Sequence, residues 1–222
     1  MTPEDFVRAN AQLMPPPLVP EIKLFLATEI VPLWRKTEEA LAEMGVPPPY
    51  WAFAWAGGQA LARYVLDNPA LVAGKTVLDF GAGSGLVALA AAKAGAASVL
   101  AADIDEFSIA AIRANAEANG LVVATTSRDI IGSSEDFDVI LVGDMCYERP
   151  LAERLLHWLR SRTAKIVLGD PGRSYLPKEG LTRLALYNVA TTRELEDREI
   201  RETGVFAFPN ARAAHNPGMP KA

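Results

Sequence analysis

The stretch Val77-Leu78-Asp79-Phe80-Gly81-Ala82-Gly83-Ser84-Gly85 decides the fold. A short apolar run ends in an acid, and three glycines follow at alternate positions. Leu86-Val87-Ala88-Leu89-Ala90-Ala91-Ala92-Lys93 then reads as an alanine-rich helix. A buried strand, a glycine turn and a helix in that order open an α/β sheet, whose ligands bind beyond the carboxyl ends of the strands. Glycine lets the backbone bend sharply there and come close to a ligand. A dinucleotide site asks for G-x-G-x-x-G, and the last position of that pattern is Leu86, one place from the glycine at 85.

Outward from this turn the chain alternates. Strands are expected at residues 76–80, 98–102, 121–125, 137–142 and 165–168. Helices are expected at 59–66, 86–93, 106–119 and 150–160, the last with Pro150 at its start. Alternation of this kind predicts a parallel sheet with helices on both faces. Beyond Gly180 a helix is expected over 181–189 and strands around 194–201 and 205–208. The small, polar residues 211–222 read as a mobile tail. Residues 1–48 read as a helical extension, broken at Pro15-Pro16-Pro17 and closed by Pro47-Pro48-Pro49. Ile22, Leu24, Phe25, Leu26, Ile30, Leu33 and Trp34 form its apolar face, Pro32 kinks or divides it, and Gly45 is a C-cap candidate. The main domain is then 49–210.

The chain has 222 residues, half of them hydrophobic, and a net charge of −5. That length suits one domain with a sizeable core. No lysine/arginine cluster marks a nucleic-acid face, and no apolar run approaches the ~20 residues of a membrane span. One cysteine, Cys146, permits no intrachain disulfide. The first ten residues carry Glu4 and Asp5 and lack the apolar segment of a secretion signal and the arginines of a transit peptide. A cytoplasmic protein is expected, with no nucleic-acid or membrane partner.

The G-x-G-x-G turn with Asp79 two residues before it fits S-adenosylmethionine. That ligand has no phosphate but has a methionyl ammonium, around which Asp79 can organise water or backbone. Gly81, Gly83 and Gly85 are the cradle. Asp103, about twenty residues on at the end of the second strand, is placed to accept from the ribose hydroxyls; Asp105 is the rival and also a helix-cap candidate. After the third strand, Asp129 can accept from the adenine amine and Ile130 can pack on the ring, or Asp129 can simply close its own turn. The fourth strand runs into Gly143-Asp144-Met145-Cys146-Tyr147. A carboxylate there sits at the edge of a site, since a buried unpaired charge is expensive. If the acceptor is a lysine amine, Asp144 can orient it and Tyr147 can supply an aromatic wall for the cation; Asp144 as a helix cap is the other reading. Gly169-Asp170-Pro171-Gly172-Arg173 either shapes the substrate mouth or is a plain turn. Tyr50-Trp51-Ala52-Phe53-Ala54-Trp55 alternates like an extended segment, and either roofs a cofactor or packs the extension onto the core. With two histidines and one cysteine, no metal site is expected. Cys146, with no histidine near it in sequence, reads as a buried neighbour of Asp144 and not as a nucleophile.

These residues carry a resemblance. Pro49 to Tyr64, with Trp55-Ala56-Gly57-Gly58-Gln59, then Val77 to Gly85, Ala102-Asp103-Ile104-Asp105, Gly143 to Tyr147 and Leu168 to Arg173 resemble the lysine methyltransferases that act on the β subunit of electron transfer flavoprotein. These are seven-stranded, Rossmann-like class I methyltransferases. The resemblance spans about residues 20–175 and is weaker after 180. It implies protein-lysine N-methylation with S-adenosylmethionine as cofactor and the flavoprotein subunit as partner. Asp144 and Tyr147 would stand at the lysine channel as catalytic residues. Trp55 and Ile104 would border the cofactor with Asp79, Asp103, Asp129, Ile130 and Asp144. A bacterial form is expected, because the animal relatives are mitochondrial. A methyltransferase of a ribosomal protein or small amine is the alternative, and a non-enzymatic nucleotide-binding module a third. The sequence leaves the oligomeric state open.

Overall fold

The computed structural model describes residues 2–27, 48–191 and 199–209. Its centre is a seven-stranded sheet of β3 (Thr76–Phe80), β4 (Ser98–Ala102), β5 (Ala124–Thr126), β6 (Val139–Gly143), β7 (Lys165–Asp170), β8 (Thr182–Ala190) and β9 (Ile200–Phe208). Their spatial order is β5-β4-β3-β6-β7-β9-β8. Strands β3 to β7 pair in parallel, and β9 and β8 add antiparallel. The strand order reverses between β3 and β6, which leaves a crevice above their carboxyl ends, where ligands of open α/β sheets bind.

The strands are buried on both faces. Val77, Val139, Leu141 and Val167 face α2 (Ala56–Asp67), α3 (Leu86–Lys93) and α4 (Glu106–Ala118). Leu78, Phe80, Ile140, Val142, Ile166 and Leu168 face Leu155, Leu156, Trp158 and Leu159 of α5 (Arg149–Arg160). Successive strand side chains point to opposite faces, so these near-continuous apolar runs need helices on both sides. Helix α2 packs directly on the sheet through glycines. A Cβ added to Gly57 would lie 2.7 Å from Asp144 Oδ2 and would strike the Gly169 carbonyl. Only a glycine permits that approach.

The amino-terminal reading is corrected. Helix α1 (Pro3–Asn10) is present, with Thr2 and Asp5 forming a capping box. After it, β1 (Gln12–Met14) and β2 (Leu24–Leu26) pair antiparallel, so Leu24, Phe25 and Leu26 lie in a strand and not on a helix face. Leu24 and Leu26 point inward and Phe25 is half-buried, a period of two. Ile30, Pro32, Leu33, Trp34, Gly45 and Pro47 lie outside the described residues. The hairpin is tied to α4 by side-chain amides: Asn115 Oδ1 accepts from Phe25 N–H at 2.7 Å, and Asn119 exchanges hydrogen bonds with the Lys23 backbone.

The expected helix at 181–189 is also corrected, because Thr182–Ala190 is the edge strand β8. The strands expected around 194–201 and 205–208 merge, over their described part, into β9. Residues 192–198 and the tail 211–222 lie outside the described residues. The third strand begins at Ala124, later than expected, and the fifth extends to Asp170.

Candidate active site

The glycine turn leaves β3 at Phe80 and enters α3. Gly81, Gly83 and Gly85 all have positive φ, at 66°, 51° and 81°, where a side chain is strained. Their roles differ. A Cβ on Gly81 would strike Met145, and one on Gly85 would lie 3.0 Å from Ile112 Cγ1 on α4. On Gly83 the nearest such atom is 3.9 Å away, so its face stays open.

Gly85 is the N-cap residue of α3 and has no side chain to cap it. Asp79 supplies that bond across the turn, its Oδ2 accepting from Ala88 N–H at 2.8 Å. Asp79 is almost fully buried, and burial pushes its carboxyl up to about 8, with the nearby Asp103 adding to the rise. Asp103 holds the turn from the other side: Oδ2 accepts from Gly83 N–H at 2.8 Å and Oδ1 from Asp105 N–H at 3.0 Å. Burial also raises the Asp103 carboxyl above the usual range. Asp105 takes the cap of α4, accepting from Phe107 N–H at 2.9 Å. Ile104 between them is exposed.

The chain reaches the crevice again at the end of β6. Asp144 has φ of 60°, in a left-handed region that aspartate tolerates better than most residues. It does not cap the helix that follows it, because α5 starts from Glu148 without a side-chain cap; the helix end it serves is that of α2. Its buried carboxylate accepts from Gly57 N–H at the start of α2 and, at 2.7 Å, from Arg173 Nε. Arg173 comes from the turn after β7, which the buried Asp170 builds by accepting from Gly172 and Arg173 N–H at 2.7 and 2.6 Å. The Arg173 guanidinium also lies 5.9 Å from the centre of the Trp55 ring. The turn thus reaches the Asp144 carboxylate through Arg173.

The aromatic run divides. Trp51 and Phe53 are buried in a cluster with Val7, Ala110 and Ala111, which docks the extension on α4. Trp55 faces the crevice, its Nε1 donating to the Tyr50 carbonyl at 3.0 Å. Tyr50 lies 6.1 Å from Trp55 and 6.0 Å from Tyr147, ring centre to ring centre, so the three rings form a row that ends in Trp55. Residues 50–52 form a 3-10 turn where an extended segment was expected. The half-exposed Tyr147 has its phenol raised to about 12, mainly by burial. Cys146 is buried, and its thiol is likewise raised to about 12, with Asp170 and Asp144 contributing.

Asp129 and Ile130 sit apart from this group. Asp129 Oδ1 accepts from Ile131 N–H and Oδ2 from Arg154, and the Arg154 bond lowers its pKa. Ile130 is buried with Phe80, Ala102 and Trp158 beneath the sheet. Two further residues support the site: Gln59, from the stretch that carries the resemblance, is buried and bonds Leu18 N–H and the Ala54 carbonyl, and Asn115, which has no sequence signal, donates through Nδ2 to the Ser84 carbonyl of the glycine turn at 2.8 Å.

A cleft lined by residues 53–55, Gly58, Asp79, residues 81–84, Leu86, Val87 and Gly143 opens beside the glycine turn, with the buried Asp79 among its walls. Its enclosed part is about 40 Å³. The residues suit S-adenosylmethionine: an open glycine face, an acid for an ammonium and an acid for vicinal hydroxyls, without the pyrophosphate pattern. A larger groove of about 480 Å³ between residues 131–134 and α5 contains no acid and no glycine cradle. Among the described residues no group of three or more His, Cys, Asp or Glu can hold a metal, and no helix is long and apolar enough to cross a membrane.

Comparison with known proteins agrees. Residues 59–144 match the family model "Ribosomal protein L11 methyltransferase (PrmA)". The fold is shared with the ribosomal protein L11 methylase of Lactobacillus delbrueckii subsp. bulgaricus, at 24% identity and TM-score 0.50 over 71% of this chain and 81% of that one. It is shared too with the magnesium protoporphyrin IX methyltransferase of Synechocystis PCC 6803 solved with bound S-adenosylmethionine, at 17% identity and TM-score 0.51 over 68% and 77%. In sequence, the electron transfer flavoprotein beta subunit lysine methyltransferase of Xenopus laevis is 38% identical over 93% of this chain and 87% of that protein. The human protein of the same name is 35% identical over 86% and 76%. The chain therefore belongs to the electron transfer flavoprotein beta subunit lysine methyltransferase family, and is an S-adenosylmethionine-dependent protein-lysine methyltransferase of the seven-stranded class I fold.

Proposed function

We propose that this enzyme methylates lysine side chains on the β subunit of electron transfer flavoprotein, in the cytoplasm, through the domain spanning residues 49–210. The observation that carries the acceptor side is Asp144: a buried carboxylate already bonded to a cation, the Arg173 guanidinium, which also faces the Trp55 ring. The site is thus built to receive a cationic side chain.

When bound, S-adenosylmethionine supplies a methyl group activated by its sulfonium. Gly83 offers its open face to the methionyl end and Asp79 faces the ammonium, while Asp103 accepts from the ribose and Ile104 covers it. Gly81 and Gly85 shape the turn from behind, through Met145 and Ile112. Asp129 and Ile130 act on the adenine through the backbone they fix, because their side chains are engaged elsewhere. A lysine ammonium, which ordinarily titrates at about 10.4, must lose a proton before its lone pair can attack. The proton leaves to solvent at the exposed rim, Asp144 holds the amine in line, and Tyr147 and Trp55 stabilise the methylammonium product. Positioning and fixed electrostatics supply most of the rate.

The ribosomal-protein reading draws on the match over residues 59–144, but that match covers the cofactor half and stops at Asp144. One experiment separates the acceptors: labelled S-adenosylmethionine with purified flavoprotein or ribosomal proteins, followed by mass mapping. Label on lysines of the flavoprotein β subunit is expected. Label only on ribosomal protein would overturn the proposal.

A further inference from the structure

We infer that Arg173 is the resident cation of the lysine subsite: it occupies the place between Asp144 and Trp55 that the substrate ammonium takes, and is displaced when lysine enters. The inference rests on the protein-lysine methyltransferase reading and adds how the acceptor is selected.

Three observations converge. Arg173 Nε meets Asp144 Oδ1 at 2.7 Å, and the two side chains are 19% and 8% exposed. The same guanidinium faces the Trp55 indole at 5.9 Å. A carboxylate and an aromatic face together are what an alkylammonium seeks. The arginine itself hangs on a turn and not on a strand. Asp170 fixes the backbone of that turn, and Tyr175 N–H bonds the Cys146 carbonyl, so the side chain can swing while the backbone stays.

The arrangement has a physical use. A buried carboxylate with no cation is costly. Arg173 removes that cost while the subsite has no substrate, and lysine entry then exchanges one cation for another. A side chain of similar length that cannot enter as a cation does not complete the exchange, because its entry would leave Asp144 uncompensated; lysine enters as the ammonium and gives up its proton afterwards. Selection for a cationic acceptor follows from the same contact. Arg173 is a specificity-determining and positioning residue; it takes no part in the bond made to the methyl group.

The binding test needs no acceptor protein. Arg173→Ala, and Arg173→Gln as a second variant that keeps a donor without charge, are titrated calorimetrically with n-butylammonium and methylguanidinium in the presence of S-adenosylhomocysteine. A thermal shift with that ligand verifies folding. Both variants are expected to bind the small cations at least about tenfold more tightly than the parent, a difference of ~1.4 kcal/mol. Asp144→Asn added to Arg173→Ala is expected to abolish the gain. With a methylatable protein, methylguanidinium should compete with it in the Ala variant, and KM should not rise. No gain in affinity in the folded variants would overturn the inference. So would a gain that survives Asp144→Asn, or methylguanidinium restoring a lost kcat, which would mean that Arg173 stays in place during turnover. If the parent enzyme fails to label the flavoprotein, the acceptor proposal fails while this binding result still stands or falls alone.

Discussion

Asp144, at the end of β6, accepts a hydrogen bond from the backbone of Gly57, at the start of α2 and 87 residues earlier in the chain. The bond fixes the carboxylate at the point where helix and sheet meet, and it exists because neither Gly57 nor Gly169 has a side chain to hold them apart. The acceptor end of the site is therefore an outcome of packing as much as of the residues that face it.

Asp79 makes the cofactor end sensitive to pH. Its native carboxyl titrates near 8 against an ordinary value of 3.8. The folded protein thus holds a proton that the unfolded chain has released, and Asp79's contribution to stability declines as pH rises from about 4 to about 8. A bound methionyl ammonium favours the ionised form. Affinity for S-adenosylhomocysteine should rise with pH through about 8, with release of a proton. Titration calorimetry in buffers of different ionisation heat measures both, and a pH-independent affinity without proton release would remove Asp79 from contact with the ammonium.

Gly83 and Gly85 should respond differently to alanine. Both backbones are left-handed, which costs a side-chain-bearing residue ~1–2 kcal/mol. The new methyl at 85 also presses on Ile112, whereas at 83 it opens onto the cleft. Gly85→Ala should lower the melting temperature more and keep most of the cofactor affinity. Gly83→Ala should lose affinity beyond its loss of stability. Equal affinities in the two variants would contradict the assignment of Gly83.

Asn115 links the extension to the cofactor turn through Phe25 and Ser84. Replacing it with leucine leaves a buried carbonyl and a half-buried N–H without their partner, at ~1–3 kcal/mol each. Denaturant unfolding should show a loss of about 2–6 kcal/mol, the two groups together, and S-adenosylhomocysteine should bind more weakly because Ser84 is released. An unchanged midpoint would show that water or backbone replaces the amide.

Cys146 should be inert. A thiol raised to about 12 and buried beside Asp144 and Asp170 has almost no thiolate near neutrality. Iodoacetamide at a pH of about 7.5 should label it only after denaturation, as read by intact mass; rapid labelling of the folded enzyme would mean that the loop opens.

The sheet from β3 to β7 and the glycine turn were legible because buried parallel strands are continuous apolar runs punctuated by glycine and acid. Strand β8 was not. Its inward residues Ala185, Tyr187 and Val189 alternate as a strand requires, but Leu184 and Leu186 on the outer face are apolar too and hide the alternation. Residues 24–26 failed for a related reason: three apolar residues in a row suit a helix or a strand, and only the distant partners Gln12–Met14 decide. Asp79, Asp103 and Asp144 were legible from their places at strand ends. The ion pair of Asp144 with Arg173 was not, because nothing in a glycine-rich turn states which way its arginine reaches.

The most direct measurement of the central claim compares parent and Asp144→Asn enzymes for methyl transfer to the flavoprotein β subunit and for S-adenosylhomocysteine affinity. Asparagine keeps the shape and removes the charge. Transfer should fall by about 100-fold or more, the scale of losing one positioned electrostatic group, while affinity changes less than about threefold. Undiminished transfer in the folded variant would contradict the assignment of Asp144 to the lysine subsite.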